Sequence, residues 1–160
     1  MEPVRMLLIG CGMMGARHLR GLAELEHTIR GSLELVGVCD TREEPANRVA
    51  DESEKLLGIR PQVFTDVEEA LARLPDLQAV DLVTDPRSHD SLAISLMEAG
   101  LDVICEKPLA VTVARGRQMV DATERTRRIL AVAENNKRDP MNRLGKACLD
   151  AGLIGRPGFA

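Results

Sequence analysis

The sequence contains no tryptophan, no tyrosine and only two phenylalanines. Binding of single-stranded nucleic acid relies on a basic groove with aromatic side chains that stack on bases. Here the net charge is −4 and the basic residues are dispersed, so nucleic acid is not the expected partner. The four cysteines, Cys11, Cys39, Cys105 and Cys148, form no C-x-x-C pair, which excludes zinc-ribbon and thioredoxin-type spacing. They read as reduced thiols used for packing, although three fall at the carboxyl ends of predicted strands and could meet over a sheet. No metal site is expected. No apolar run approaches the roughly 18 residues that span a bilayer. Met1 to Ile9 shows neither a basic region followed by a long apolar segment nor a small-residue cleavage site. A soluble chain in the cytoplasm, with no membrane partner, is the expectation. Internal repeats and low-complexity linkers are also missing.

What remains is a globular balance, 44% apolar and 29% charged in 160 residues. A chain of this size hides about two-thirds of its unfolded surface, enough for one real core. The organising stretch runs from Val4 to His18: an apolar run, Leu7-Leu8-Ile9, breaks into Gly10-Cys11-Gly12-Met13-Met14-Gly15 and continues in helical pattern. It reads as strand, phosphate loop, helix. Gly10 turns the chain off the strand, Gly12 admits close approach of a pyrophosphate, and Gly15 lets the helix lie on the strand. The first helical N–H groups and the helix dipole favour an anion over the loop.

A second apolar strand, Leu33 to Cys39, ends in Asp40, whose carboxylate suits the hydroxyls of an adenosine ribose. The interval from Gly15 to Asp40 exceeds the roughly 20 residues usual for this pattern, and a short insertion around Glu26 to Ser32 accounts for the excess. Helices are expected over Met13 to His27, from Thr41 to about Leu57, from an Asp66 cap to Arg73, over Ser91 to Ala99 and over Met141 to Ala151. Further strands are expected at Gln62 to Phe64, Gln78 to Thr84, Leu101 to Cys105 and Ile129 to Val132. Strands alternating with helices imply right-handed crossovers and a parallel sheet covered on both faces. The expected fold is α/β, a doubly wound Rossmann sheet in the order 3-2-1-4-5-6, with ligand at the carboxyl ends of strands one and four. His18 and His27 lie mostly off the apolar stripe of the first helix and read as solvated surface residues.

Three more segments stand in order: Val83-Thr84-Asp85-Pro86-x-x-His89, Ala99 to Cys105, and Glu106-Lys107-Pro108-Leu109-Ala110. Together with Gly10 to His18 they resemble the amino-terminal domain of the Gfo/Idh/MocA family of NAD(P)-dependent oxidoreductases, named for glucose–fructose oxidoreductase and inositol dehydrogenase. The resemblance covers nearly the whole chain and continues through Lys137 to Pro140 and Gly152 to Gly155. It implies that Glu106, Lys107 and Pro108 lie beside the nicotinamide, that Lys107 is the catalytic residue reaching a substrate hydroxyl, and that the Lys107–Pro108 bond is often cis. Thr84, Asp85, Pro86 and His89 would border the cofactor, and Thr41 and Arg42 would flank Asp40. Partial desolvation at the end of a central strand would lower the lysine pKa toward neutrality. Two bland readings stay open: Lys107 as a plain ion-pair partner of Glu106 or a surface acid, and His89 as a helix-entry residue with a satisfied ring.

These expectations define the dinucleotide-binding half of an oxidoreductase, residues 1–135, followed by the start of a truncated substrate domain, residues 136–160. The second α+β domain, which in the family supplies further catalytic residues, is missing, so the chain alone should be inactive. The cofactor would be NAD, with NADP possible because Arg42 could pair with a 2′-phosphate. The substrate would be a sugar, polyol or similar small molecule, and the protein a homo-oligomer. Two alternatives share the glycine loop: a non-catalytic cofactor sensor, which would not need Lys107, and a biliverdin- or homoserine-type reductase, which would explain Glu106-Lys107-Pro108 less readily.

Overall fold

The computed structural model describes residues 2–156 and Gly158. The strands form where apolar and β-branched residues dominate: β1 (Val4–Ile9), β2 (Leu33–Cys39), β3 (Gln62–Phe64), β4 (Ala79–Leu82), β5 (Asp102–Cys105) and β6 (Leu130–Val132). All pair in parallel, in one sheet ordered β3-β2-β1-β4-β5-β6. The winding therefore reverses between β1 and β4, where Ile9 stands opposite Leu82. Such a reversal opens a crevice beyond the carboxyl ends of those two strands.

Side chains alternate across the sheet and feed two separate cores. Leu7, Ile9, Val80 and Leu82 face one core, with α3 (Val67–Arg73), α4 (His89–Glu98) and α5 (Val113–Thr126). Met6, Leu8 and Val38 face the other, under α1 (Met13–Thr28) and α2 (Glu43–Leu57). Asp66 caps α3 by accepting the Glu69 amide, and Asp139 caps α6 (Pro140–Asp150) by accepting the amides of Met141 and Asn142. Among the described residues no helix is long and apolar enough to cross a membrane.

The expected strands all appear: β2 and β3 keep the expected bounds, β5 and β6 are one residue shorter, and β4 is three residues shorter. Helix α5 is an addition: the sequence reading leaves the interval between Ala110 and Ile129 without an element. Its N-cap Thr112 accepts the Arg115 amide, and of its residues only Met119 and Ala122 are buried. Helix α6 has no buried residue, and Met141, Leu144 and Leu149 are exposed along it. Beyond the helix, Leu153 and Ile154 are exposed as well. Pro157, Phe159 and Ala160, the end of the segment assigned to a second domain, lie outside the described residues.

Met119 is the main apolar anchor of α5 and is fully buried. Its truncation in Met119→Ala should cost about 3 kcal/mol through lost transfer energy and a residual cavity. Urea unfolding followed by circular dichroism checks this: the midpoint should fall with an unchanged slope.

Candidate functional site

The loop from β1 to α1 is shaped by what glycine lacks. Gly10 adopts φ +98°, a left-handed value unfavourable to other residues, and a Cβ there would run into the Val83 carbonyl of β4's exit. A Cβ on Gly15 would collide with the Gly10 carbonyl, so α1 descends onto β1 only because that atom is absent. Gly12, by contrast, looks into open space. It is the N-cap residue of α1 and no side chain caps that helix. The leading amides of α1 are thus left to an external acceptor, and the room above Gly12 would be filled by a side chain. This cradle fits a diphosphate.

Beside it opens a cleft of about 820 Å³, lined by Gly10, Gly12, Asp40, Thr41, Thr84 and Asp85 among others. Asp40, at the end of β2, accepts the Cys11 amide at 2.8 Å and the Arg42 amide at 3.0 Å. A carboxylate offers about four lone-pair sites, so capacity remains for a diol. The Arg42 guanidinium lies 4.0 Å from Asp40, with the side chain 74% exposed. Thr65, Val67, Leu71 and Leu92 also line the cleft. The sequence reading missed all four, although β3 beside β2 in the expected order already brings the β3–α3 turn to the same end of the sheet.

The β4 loop is tied to the segment after β5 by His89. Its ring is fully buried, with Nδ1 3.0 Å from the Pro108 carbonyl and Nε2 3.0 Å from the Thr84 carbonyl. His89 therefore sits behind two loops of the site, with a carbonyl oxygen of each loop against one ring nitrogen. Asp85 pairs with Arg87 at 3.0 Å, and the guanidinium holds its carboxyl below the usual range. The Lys107–Pro108 bond is cis. Lys107 itself departs from expectation: its side chain is 61% exposed, with Nζ 3.8 Å from Glu106 Oε1. The anticipated desolvation is not present, because Lys107 sits past the strand end, outside the sheet's cover.

Three of the four cysteines sit in the core. Cys11, Cys39 and Cys105 are buried, and burial is the main cause that pushes their thiols up to about 12, about 11 and about 12. Cys11 Sγ donates to the Cys39 carbonyl at 3.6 Å.

The reading of His18 as a solvated residue is wrong. His18 projects from α1 onto β4, where Nδ1 lies 2.9 Å from Asp81 Oδ2, and Nε2 lies 3.4 Å from Glu106 Oε2. Asp81 and Glu106 are buried. Burial of a carboxylate in a central strand requires a partner, and that requirement was the available signal: Asp81 interrupts the apolar run Val80 to Val83. The hydrogen bond to Asp81 raises the His18 pKa above the ordinary 6.5, while burial opposes the rise and Glu106 adds to it.

Residues 4–134 match the Gfo/Idh/MocA family model, described as an oxidoreductase family with an NAD-binding Rossmann fold. An inositol 2-dehydrogenase from Pseudomonas savastanoi is 35% identical over 151 residues, which are 94% of this chain and 42% of that protein. A glycosyl hydrolase family 109 protein from Akkermansia muciniphila is 32% identical over 84% of this chain and 28% of its own length. The WlbA dehydrogenase from Bordetella pertussis, solved in complex with NADH and UDP-GlcNAcA, superposes with a TM-score of 0.77 at 32% identity, covering 97% of this chain and 45% of that one. The chain thus spans less than half the length of these proteins.

The histidine clamp has a pH signature. Because the folded pKa of His18 lies above its unfolded value, the clamp's contribution is full below about pH 6.5 and is lost as pH rises through the folded value. Replacement in His18→Gln leaves a buried carboxylate short of its cation and should cost about 3 kcal/mol at pH 6. Urea unfolding of both proteins should show that gap narrow by pH 9.

Proposed function

The chain belongs to the Gfo/Idh/MocA oxidoreductases, and we propose that it forms the cofactor-binding half of an NAD-dependent dehydrogenase acting on a hydroxyl carbon of a sugar, polyol or similar molecule. The observation that carries the reading is that the segments after β1, β2, β4 and β5 all stand at one end, the carboxyl end, of a single parallel sheet. An uncapped helix with an open glycine cradle, an acid at Asp40 and a lysine at Lys107 stand there. The leading amides of α1 would hold the diphosphate, Asp40 the adenosine ribose, and Val67, Leu71 and Leu92 would supply apolar walls for the adenine. A bound nicotinamide accepts or donates a hydride at the reacting carbon.

Lys107 would stand where a substrate hydroxyl gains or loses its proton, and its exposure leaves the ammonium accessible to a substrate. Glu106, buried beside it, fixes one side of that ammonium by charge. Thr84 and Asp85 border the crevice, and His89 holds their loop against Pro108. The substrate class draws support from the relatives: inositol, D-apiose and UDP-GlcNAcA stand in their names. Polyhydroxylated rings are common to the three.

Cofactor choice should follow Asp40. Its carboxylate would repel a 2′-phosphate while accepting ribose hydroxyls. Calorimetric titration should therefore show tighter binding of NAD than of NADP by at least about tenfold, and Asp40→Ser should shrink that ratio. A wild-type preference for NADP would overturn the assignment. The exposed Arg42 guanidinium is the group that would produce it.

Chemistry should separate from binding at Lys107. In the full-length protein, Lys107→Ala should lower turnover with a polyol by about 10²–10⁴-fold while the NAD dissociation constant stays within about twofold. Initial rates at saturating NAD, beside calorimetry, measure both. Undiminished turnover would reduce Lys107 to an ion-pair residue.

A further inference from the structure

Asp81 lies in β4 with its side chain turned away from the core that Val80 and Leu82 enter, toward α1, and it is 2% exposed. His18 meets it with Nδ1 3.0 Å from Oδ1 and 2.9 Å from Oδ2. The far ring nitrogen, Nε2, stands 3.4 Å from Oε2 of Glu106, itself 7% exposed. The other oxygen of Glu106 faces Lys107 Nζ at 3.8 Å. Four groups from three separate parts of the chain thus run in one line, Asp81, His18, Glu106, Lys107. We propose that His18 is a positioning residue for Lys107: as an imidazolium it bridges the two buried carboxylates, fixes the Glu106 head, and so sets how Glu106 holds the lysine ammonium. This rests on the reading of Lys107 as the proton-transfer group.

The chemistry of the ring makes the link conditional on charge. An imidazolium donates from both nitrogens, and a neutral ring from one. With the remaining proton on Nδ1, the Asp81 bond survives, and the Nε2 lone pair then faces the Glu106 carboxylate, two acceptors against each other. Glu106 is released from the ring and left with Lys107 as its partner. The other charged groups facing this line come from α1 and from the segment beyond β6: Arg17, Glu134 and Arg138 line the same cavity of about 600 Å³ with His18, Glu106 and Lys107. The two arginines oppose the charged ring and Glu134 favours it, so Asp81, in direct contact and buried, decides its state. The direction of the His18 pKa, upward with the Asp81 bond as largest cause, agrees with this.

Histidine and lysine side-chain NMR of the full-length protein, without cofactor, tests the proposal. The His18 ring should titrate above 6.5, and the Lys107 Cε and Nζ resonances should show a step at the same pH. Asp81→Asn should move both midpoints down together by about one pH unit. Glu106→Gln serves as the second variant if Asp81→Asn fails to fold: it should abolish the step at Lys107 while the His18 titration persists. In His18→Gln the Lys107 step should vanish. Turnover should fall on the order of tenfold with the NAD dissociation constant unchanged, and the kcat profile should lose the limb at that pH. A His18 midpoint at or below 6.5, or a Lys107 signal indifferent to it, overturns the proposal. Coupled titration in a protein that turns over no polyol supports the clamp and counts against the Lys107 chemistry alone.

Discussion

The missing Cβ of Gly15 is the constraint from which the site descends. Because α1 rests directly on the Gly10 carbonyl, its axis lies closer to β1 than a side chain would permit. Two consequences share that cause. The helix N-terminus is set over the crevice, with its amides directed at any ligand there. One turn further along the same face, His18 is lowered onto the sheet, near enough for a direct bond to Asp81 in β4. A helix held farther out would leave the buried carboxylate without a donor, at the cost of an uncompensated charge. Cofactor cradle and charge clamp are thus two outcomes of one close approach, which is why both occur at the same helix.

The sheet order supplies the rest. Reversal of winding between β1 and β4 keeps crossover connections off the shared end of those strands, so the loops after β1, β2, β4 and β5 converge there. Convergence alone does not fix loop conformation, and the buried polar groups are used for that. Asp40 ties the glycine loop to the turn after β2, His89 ties the turn after β4 to Pro108, and His18 ties α1 to β4 and to Glu106. Each tie joins segments that are separated in sequence. Each is also buried or nearly so, where a hydrogen bond is stronger than it would be in water.

Strands and glycine loop were legible in the sequence because each is a local signal: an apolar run ended by glycine or an acid needs no knowledge of its neighbours. Helix α5 was not, since only Met119 and Ala122 turn inward and the rest of its surface is polar or exposed, so no apolar stripe announces it. His18 failed for a related reason. Periodicity sorts a polar residue near an apolar stripe as surface, while the partner that buries it lies 63 residues away. Lys107 was identified by its neighbours Glu106 and Pro108, and its environment was misjudged. Position at a strand end says where a side chain starts, and solvent access depends on what lies above it.

The two ends of the crevice differ in the physics they use. At the Asp40 end, the crevice presents backbone amides, one carboxylate that already accepts two backbone amides, and apolar walls. These groups are ordered before any ligand arrives, so little conformational entropy is lost on binding. At the Lys107 end, the groups are long, charged and balanced against one another through Glu106 and His18. A fixed site suits tight holding of an invariant cofactor. A chain of opposed charges can alter its proton content with little movement, and its set point is defined by Asp81, the member most removed from solvent. Placing that anchor inside β4 protects it from exchange with bulk ions, while Lys107 at the other end stays open to solvent.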